Sequence, residues 1–232
     1  LPPQGKVKHY VFVGSAGAYL ADPVEPCHFE GDPRKASAGH VAVENYLASS
    51  GAPFTVVQPL YIYGEHTAKD CEQWFLDRIV RGRAVPLPAP GMQLVTLSHV
   101  GDLANLMAAV LGNEGAKKQH FNMCADKAIT FVGIVDALAK AAGVDAKVVL
   151  YDPSAVGLKK GEGFPFRVGH FFANPDKAKR VLGWTCEHTF EGDAPALVAA
   201  YMKSGRDKKE IDFSLDDKIL AAVSKSTAAV AA

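Results

Sequence analysis

The stretch HYVFVGSAG, residues 9–17, is a short apolar run of β-favouring side chains that stops at Gly14 and Ser15, the pattern of a strand buried in a parallel sheet. Downstream, KASAGHVAVENYL (35–47) spaces Val41, Val43, Tyr46 and Leu47 as a packed helix. PFTVVQPLYIYG (53–64) then supplies a second apolar strand, stopped by Pro59 and followed by a Tyr-Ile-Tyr-Gly turn. Strand, helix, strand at this spacing is the βαβ rhythm of an α/β fold whose parallel sheet is covered on both faces.

The rest of the chain continues in mixed elements. DCEQWFLDRIVRG reads as a helix stopped by Gly82, with Trp74, Phe75 and Ile79 available for packing. In GDLANLMAAVLG, Leu103, Leu106, Met107, Val110 and Leu111 form one core-facing stripe. TFVGIVDALAKAAG repeats the device, with Thr130 placed to cap, Phe131, Ile134, Val135 and Leu138 on the stripe, and Gly143 as terminator. Asn174 and Pro175 before DKAKRVLG predict a cap and a first-turn proline. QHFNMC and KVVLYD read as short strands. From about Lys203 the chain turns polar, and KSTAAVAA is expected to be a disordered low-complexity tail.

The 232 residues carry 25 Lys and Arg against 25 Asp and Glu, so a polyanion must be met by a local patch rather than by net charge. No apolar run approaches the roughly 18 residues of a membrane span, so a soluble globular chain without membrane contact is expected. Cys27, Cys71, Cys124 and Cys186 are scattered without a C-x-x-C pair and suggest neither a zinc site nor a disulfide framework.

Five marks in sequence, VGSAGAYL, YIYG, SHVGDLANLM, the FNMC…ITF step and NPDKAKRVLGW, resemble the extended short-chain dehydrogenase/reductase superfamily, the nucleotide-sugar epimerase and dehydratase type. The resemblance runs from about His9 to Tyr201. It implies the C-terminal portion of a Rossmann-like doubly wound parallel sheet plus a smaller α/β substrate-type region. The expected division is 1–66 for the sheet domain, 67–202 for a region that completes the sheet and forms the smaller lobe, and 203–232 for a charged extension and flexible tail. The Gly-rich dinucleotide turn would lie upstream of His9, so the chain is expected to be a fragment lacking a front half.

That superfamily places a tyrosine and a lysine four residues apart; the ammonium lowers the phenol's pKa so that it exchanges a proton with a carbonyl while hydride moves to nicotinamide. Aligned on VENYL, those places hold Ala36 and His40. Alanine has no proton to give, so hydride transfer and epimerisation are not expected. Ser15, the third partner, is retained, unless it is only a polar strand end. His40 reads as a packing or capping residue, a ligand contact in the inherited cleft, or an acid–base group. Ser15, His40, Pro59 and Tyr61 would line the old cofactor cleft, where NAD(P) binding is possible.

EGDPRKASAGHVAVENYL, KDCEQWFLDRIVRGRAVPLP, GMQLVTLSHVGDL and GRDKKEIDFSLDDKIL are similar to the chloroplast stem-loop-binding proteins, relatives of the epimerases that lack the redox dyad. This resemblance implies RNA stem-loops as partner, endoribonucleolytic cleavage assisted by a divalent cation such as magnesium, and a place in the chloroplast stroma. It also implies association with ribosomes, roles in transcript stability and ribosomal RNA maturation, and homo- or hetero-oligomers with a related subunit. Two other functions compete with it: an NAD(P)-dependent nucleotide-sugar enzyme, and a non-catalytic scaffold whose cleft senses nucleotides.

Stem-loop binding needs cations for phosphates and planar groups for unpaired bases. Arg78, Arg81 and Arg83 follow Trp74 and Phe75. Lys159, Lys160 and Arg167 bracket a glycine-rich segment that carries Phe164, Phe166, His170, Phe171 and Phe172. The second cluster is the preferred RNA surface, against an inherited lid loop with its phenylalanines in the core. Lys177, Lys179 and Arg180 read as a solvated helix face. For cleavage, His40, Ser15 and Glu44 are the candidate set, Glu44 lying one helical turn from His40. Asp70, Glu72 and Asp102 are further carboxylates for a hard cation, and no spacing selects a metal site among them.

Overall fold

The computed structural model describes residues 6–21, 24–67, 69–159 and 161–230, with side chains through Lys225. Strands are β1 (Tyr10–Val13), β2 (Cys27–His28), β3 (Phe54–Pro59), β4 (Ile62–Tyr63), β5 (Val85–Pro88), β6 (Leu94–Val95), β7 (Ser98–His99), β8 (Gln119–Met123), β9 (Ile129–Thr130), β10 (Val148–Tyr151) and β11 (Phe172–Ala173). Helices are α1 (Gly39–Ser49), α2 (Glu72–Ile79), α3 (Val100–Val110), α4 (Phe131–Ala142), α5 (Asp176–Leu182), α6 (Phe190–Lys203) and α7 (Ser214–Val230). They group into two compact units. The first holds Leu1–Gly64, Thr96–Ala128 and Phe171–Thr189, and the second Glu65–Val95, Ile129–His170 and Phe190–Ala232.

The first unit is built on a parallel sheet in the order β1-β3-β8, registered Phe12↔Val56↔His120. Every residue of β3 is buried, as a central strand covered on both faces requires. On one face Leu47 of α1 packs with Phe54 and Val56, flanked by Tyr10 and Phe12. On the other, Val57, Phe121 and Met123 meet Leu106 and Val110 of α3, Ala178 of α5 and Trp184. Strand and helix therefore alternate as the sequence predicts, and the sheet is wound on both sides.

Helix α1 starts later than its apolar spacing suggests. Lys35 N–H bonds to Ala18 O at 2.8 Å and Leu20 N–H to Pro33 O at 3.0 Å, with Tyr19 and Arg34 bridged antiparallel between them. Residues 33–35 are thereby held extended, and Ala38 is still extended at ψ 126°. Ala36 consequently lies in the turn ahead of the helix, not on it. At α5 the cap is also displaced: the Asn174 side chain accepts Asp176 N–H at 2.8 Å and Pro175 occupies the N-cap position.

The second unit pairs β5 with β10 in parallel and β6 with β9 antiparallel. Thr130 caps α4 by accepting Gly133 N–H at 2.9 Å, and Gly143 ends it at φ +68°, a backbone geometry that glycine adopts without steric cost. Phe75, Phe131, Phe164 and Phe166 form its aromatic core, with Trp74 edge-on to Phe164 at 5.4 Å.

Of the segment after Lys203, expected as a charged extension with a disordered tail, residues 204–230 belong to this unit, and residues 231–232 lie outside the described residues. Asp216 and Ile219 of α7 are buried, and α7 remains helical through Val230. The run that reads as low complexity is rich in alanine, the best helix former. No helix among the described residues is long and apolar enough to cross a membrane.

Candidate functional site

Parallel sheets present their chemistry beyond the C-terminal ends of their strands. Here that region begins at Ser15, whose hydroxyl accepts Gly17 N–H at 3.0 Å and caps the 3-10 turn Ala16–Ala18. Pro59 is buried at the end of β3. Tyr61 follows it, edge-on to Phe171 at 5.5 Å.

The dyad positions carry no proton donor of the redox kind. Ala36 is an exposed methyl in a turn. His40 is exposed on the first turn of α1, and its ring lies 6.2 Å from that of Phe12. Tyr19, the nearest tyrosine in sequence to Ser15, does not replace the missing phenol. It is fully buried, its hydroxyl 2.8 Å from Asn122 Oδ1 and 3.1 Å from Gln58 Oε1, with its ring stacked on His28 at 4.8 Å. Burial, seconded by the nearby Glu30 charge, drives its pKa far above the ordinary phenol value. These residues do not fit proton transfer beside a nicotinamide.

Glu44, the expected partner of His40, turns inward instead. It is buried, ion-paired with Arg34, and lies 3.9 Å from His120 Nδ1. A Cβ at residue 14 would stand 2.9 Å from Glu44 Oε1, so the glycine that ends β1 makes room for this carboxylate. We expect Gly14→Ala to cost about 1–3 kcal/mol through this overlap, read by urea denaturation; an unchanged midpoint would show that the carboxylate relocates freely.

Two of the three further carboxylates are already occupied, and the third is buried. Asp70 accepts Arg206 Nη1 at 3.0 Å and Nη2 at 2.5 Å. Asp102 is buried and accepts Glu187 N–H at 3.1 Å, His188 N–H at 3.2 Å and the Cys186 thiol at 3.2 Å. Buried Glu72 accepts Gln73 Nε2 at 3.0 Å.

The arginines of the first cluster are engaged by partners within the second unit. Arg78 is buried under the Trp74 ring (3.6 Å) and paired to Asp216 at 2.8 Å. Arg81 donates to Tyr201 Oη at 2.8 Å and to the carbonyls of Arg206 and Lys209. Arg83 pairs with Asp217 and lies over Phe213. In the second cluster Phe164 and Phe166 belong to the core, so neither is a stacking platform for bases. His170 Nδ1 accepts Leu94 N–H at 2.9 Å, Arg167 is half-buried and Lys159 exposed; Lys160 lies outside the described residues.

The sheet brings together a cationic group that the sequence does not connect, Lys177 reading there only as part of a solvated helix face. Arg34, His120 on β8 and Lys177 on α5 gather around the outer edge of β8. Arg34 Nη1 lies 3.5 Å from His120 Nδ1, and Lys177 Nζ lies 5.3 Å over the ring of Phe121. Burial first, then the charges of Arg34 and Lys177, hold the His120 pKa down to about 4. The three residues are far apart in sequence, and only the basic run Lys117, Lys118 beside the strand marked the place.

Residues 5–124 match the family model described as the NAD dependent epimerase/dehydratase family. The chain is 38% identical over 218 residues to the chloroplast stem-loop binding protein of 41 kDa b from Arabidopsis thaliana, covering 93% of this chain and 58% of that protein. Among solved structures it superposes on UDP-glucose 4-epimerase of Thermotoga maritima with TM-score 0.70 at 20% identity, covering 86% of this chain and 65% of that one. UDP-glucuronic acid 4-epimerase of Bacillus cereus in complex with NAD gives 0.69 at 13%, covering 87% and 63%. The chain thus spans less than two thirds of the length of each of these proteins.

Proposed function

Because this chain belongs to the NAD dependent epimerase/dehydratase family yet offers an exposed alanine where proton transfer needs a phenol, we propose that it binds stem-loop RNA in the chloroplast. The observation that carries the reading is Ala36, with Tyr19 locked away by Asn122 and Gln58. The 38%-identical stem-loop binding protein supplies the ligand class and the compartment. In this reading the sheet and its flanking helices are a rigid scaffold, and the work is done at its surface.

Endonucleolytic cleavage with a divalent cation, association with plastid ribosomes and assembly with a second or related subunit extend the same proposal. They come from the resemblance alone. Asp70 and Asp102 already accept from Arg206 and from the Glu187 and His188 N–H groups, so a cation would have to displace these partners. His40, exposed and next to Phe12, is the group in the inherited cleft that cleavage would use. Cleavage of a labelled stem-loop, with and without chelator and in His40→Ala, tests this extension separately from binding.

The binding reading is tested by salt. Some four phosphate contacts would release counterions with a log–log slope near −3, weakening stem-loop affinity roughly 50- to 150-fold between 50 and 200 mM salt. Fluorescence anisotropy with a labelled hairpin measures this. An affinity that stays flat over that range excludes a phosphate grip, and absence of binding at low salt removes the reading.

A further inference from the structure

The outer edge of β8 carries a group of charges with a clear arrangement. Arg34 arrives from the extended segment before α1, His120 sits on the strand, and Lys177 reaches over from α5. Behind them, Glu44 is 1% exposed at the side chain and fixes the Arg34 guanidinium, while the Arg34 and His120 side chains each keep 22% of their surface in solvent. The anion is therefore at the back and the cations at the front. Arg180, one turn beyond Lys177 on α5, is exposed, and so is Lys118 just ahead of the strand.

Glu30, the other acid close by, is committed to the strand, its Oε1 accepting Asn122 N–H at 2.9 Å. It partly offsets the lowering of the Lys177 pKa, whose first cause is burial and whose other cause is Arg180. The groups facing His120 are thus Arg34 and Glu44 from the α1 side; Lys177 lies over the ring of Phe121, the next residue of the strand, and acts on His120 through its charge, with Glu30 near Lys177.

A guanidinium has donors only, so we assign the neutral ring's proton to Nε2, with the Nδ1 lone pair toward Arg34 at 3.5 Å and Glu44 Oε2 3.9 Å from the same nitrogen. The His120 Nε2–H and the solvent-exposed part of the Arg34 guanidinium are donors that phosphate oxygens can accept from, with Glu44 and Glu30 as the acids already beside this edge.

We propose that the outer edge of β8 is a phosphodiester-binding site, in which Arg34 and Lys177 carry the charge and His120 donates its Nε2–H to a phosphate oxygen. The proposal rests on the RNA reading for the source of the phosphate, and on geometry for its place. It moves the RNA surface from Arg78, Arg81 and Arg83 and the 159–170 segment to the first unit. Since an anion favours the imidazolium, the pKa of His120 rises on binding from its low value toward the ordinary 6.5. Binding then takes up a proton, so affinity increases as pH falls from 7 toward 5.5.

The test uses the whole chain and two probes, a labelled stem-loop and inorganic phosphate. Lys177→Ala and His120→Asn are each expected to weaken stem-loop binding about 5- to 10-fold, Lys177→Ala also reducing the salt slope by about one. His120→Asn should abolish the gain in affinity at low pH, which a merely structural histidine would not control. Lys147→Ala, exposed in the second unit, serves as the unchanged control. In NMR titrations the His120 ring resonances and pKa should move with either probe. If phosphate shifts His120 but the wild type ignores the stem-loop, the anion site stands and the RNA reading falls. If the wild type binds the stem-loop while both variants bind equally well and His120 is unmoved by phosphate, the site proposed here is wrong and the RNA reading survives.

Discussion

Arg78→Ala is expected to destabilise the protein by about 3–5 kcal/mol, the loss that follows when one member of a buried ion pair is removed and the other stays behind. Arg78 approaches Asp216 twice at 2.8 Å, donates Nη1 to the Trp74 carbonyl at 2.6 Å, and is only 6% exposed. Its removal leaves the Asp216 carboxylate, 2% exposed, without its countercharge on a helix that packs on β5 and β10. The guanidinium also covers Trp74, so packing is lost with the charge. Replacing both partners with apolar residues, as in Arg78→Met with Asp216→Leu, should recover most of the loss, because the cost lies in the orphaned charge. Urea denaturation of the single and double variants measures both; a single-variant loss below about 1 kcal/mol would place the pair in solvent-like surroundings. Under native conditions Arg78→Ala should leave stem-loop affinity unchanged, since no part of the proposed phosphate site depends on it.

That outcome bears on what could be read from the sequence. The spacing Trp74, Phe75, Arg78, Arg81, Arg83 has the composition of a nucleic-acid grip, and nothing within the segment reveals otherwise. What decides it lies far along the chain: Asp216 and Asp217 neutralise Arg78 and Arg83, and Tyr201 holds Arg81. Phe164 and Phe166 misled for the same reason, their core partners Phe75 and Phe131 being distant in sequence. Local physics was legible. The stripes of α3 and α4, the Thr130 cap, the Gly143 terminator and the buried run of β3 follow from periodicity and turn chemistry, and they stand as read except for Leu111, which caps α3 and is exposed. The start of α1 did not follow, because hydrogen bonds from Lys35 and Leu20 override an apolar spacing that would extend the helix to Ala36.

The candidate site divides in the same way. Loss of the phenol is written in one letter at residue 36, and the structure adds that Tyr19, the tyrosine nearest Ser15 in sequence, is buried and does not compensate. The cationic edge of β8 is invisible in sequence, since Arg34, His120 and Lys177 are assembled by three separate elements of the first unit. Its charge also escapes composition, which balances to zero over the whole chain. A sheet edge that gathers cations on its solvent side and seats their counter-anion beneath creates a local field that net charge does not report.

Asp102→Ala should disturb the first unit in two linked ways. Asp102 is 1% exposed in the first turn of α3 and accepts from two backbone N–H groups, those of Glu187 and His188, while its own carbonyl accepts Trp184 Nε1 at 3.1 Å. Without the carboxylate those N–H groups lose their partner, and α3 loses a negative charge at its N-terminus, together costing about 2–4 kcal/mol. The second effect is on Cys186. Burial first, then Asp102, pushes its thiol up to about 11. Removing the carboxylate lowers that pKa, so at pH 8.5 the thiolate fraction rises, by about tenfold for each unit of pKa recovered. Alkylation of Cys186 should accelerate accordingly, while Cys71 and Cys124, both buried and raised by that burial, stay inert in the native protein. Asp102→Asn keeps one acceptor oxygen and should fall between the two in stability. Denaturation and peptide-resolved alkylation separate the contributions. A loss of stability without faster labelling of Cys186 would mean that burial alone sets its thiol, and faster labelling of Cys124 as well would mean that the unit has opened rather than lost one clasp.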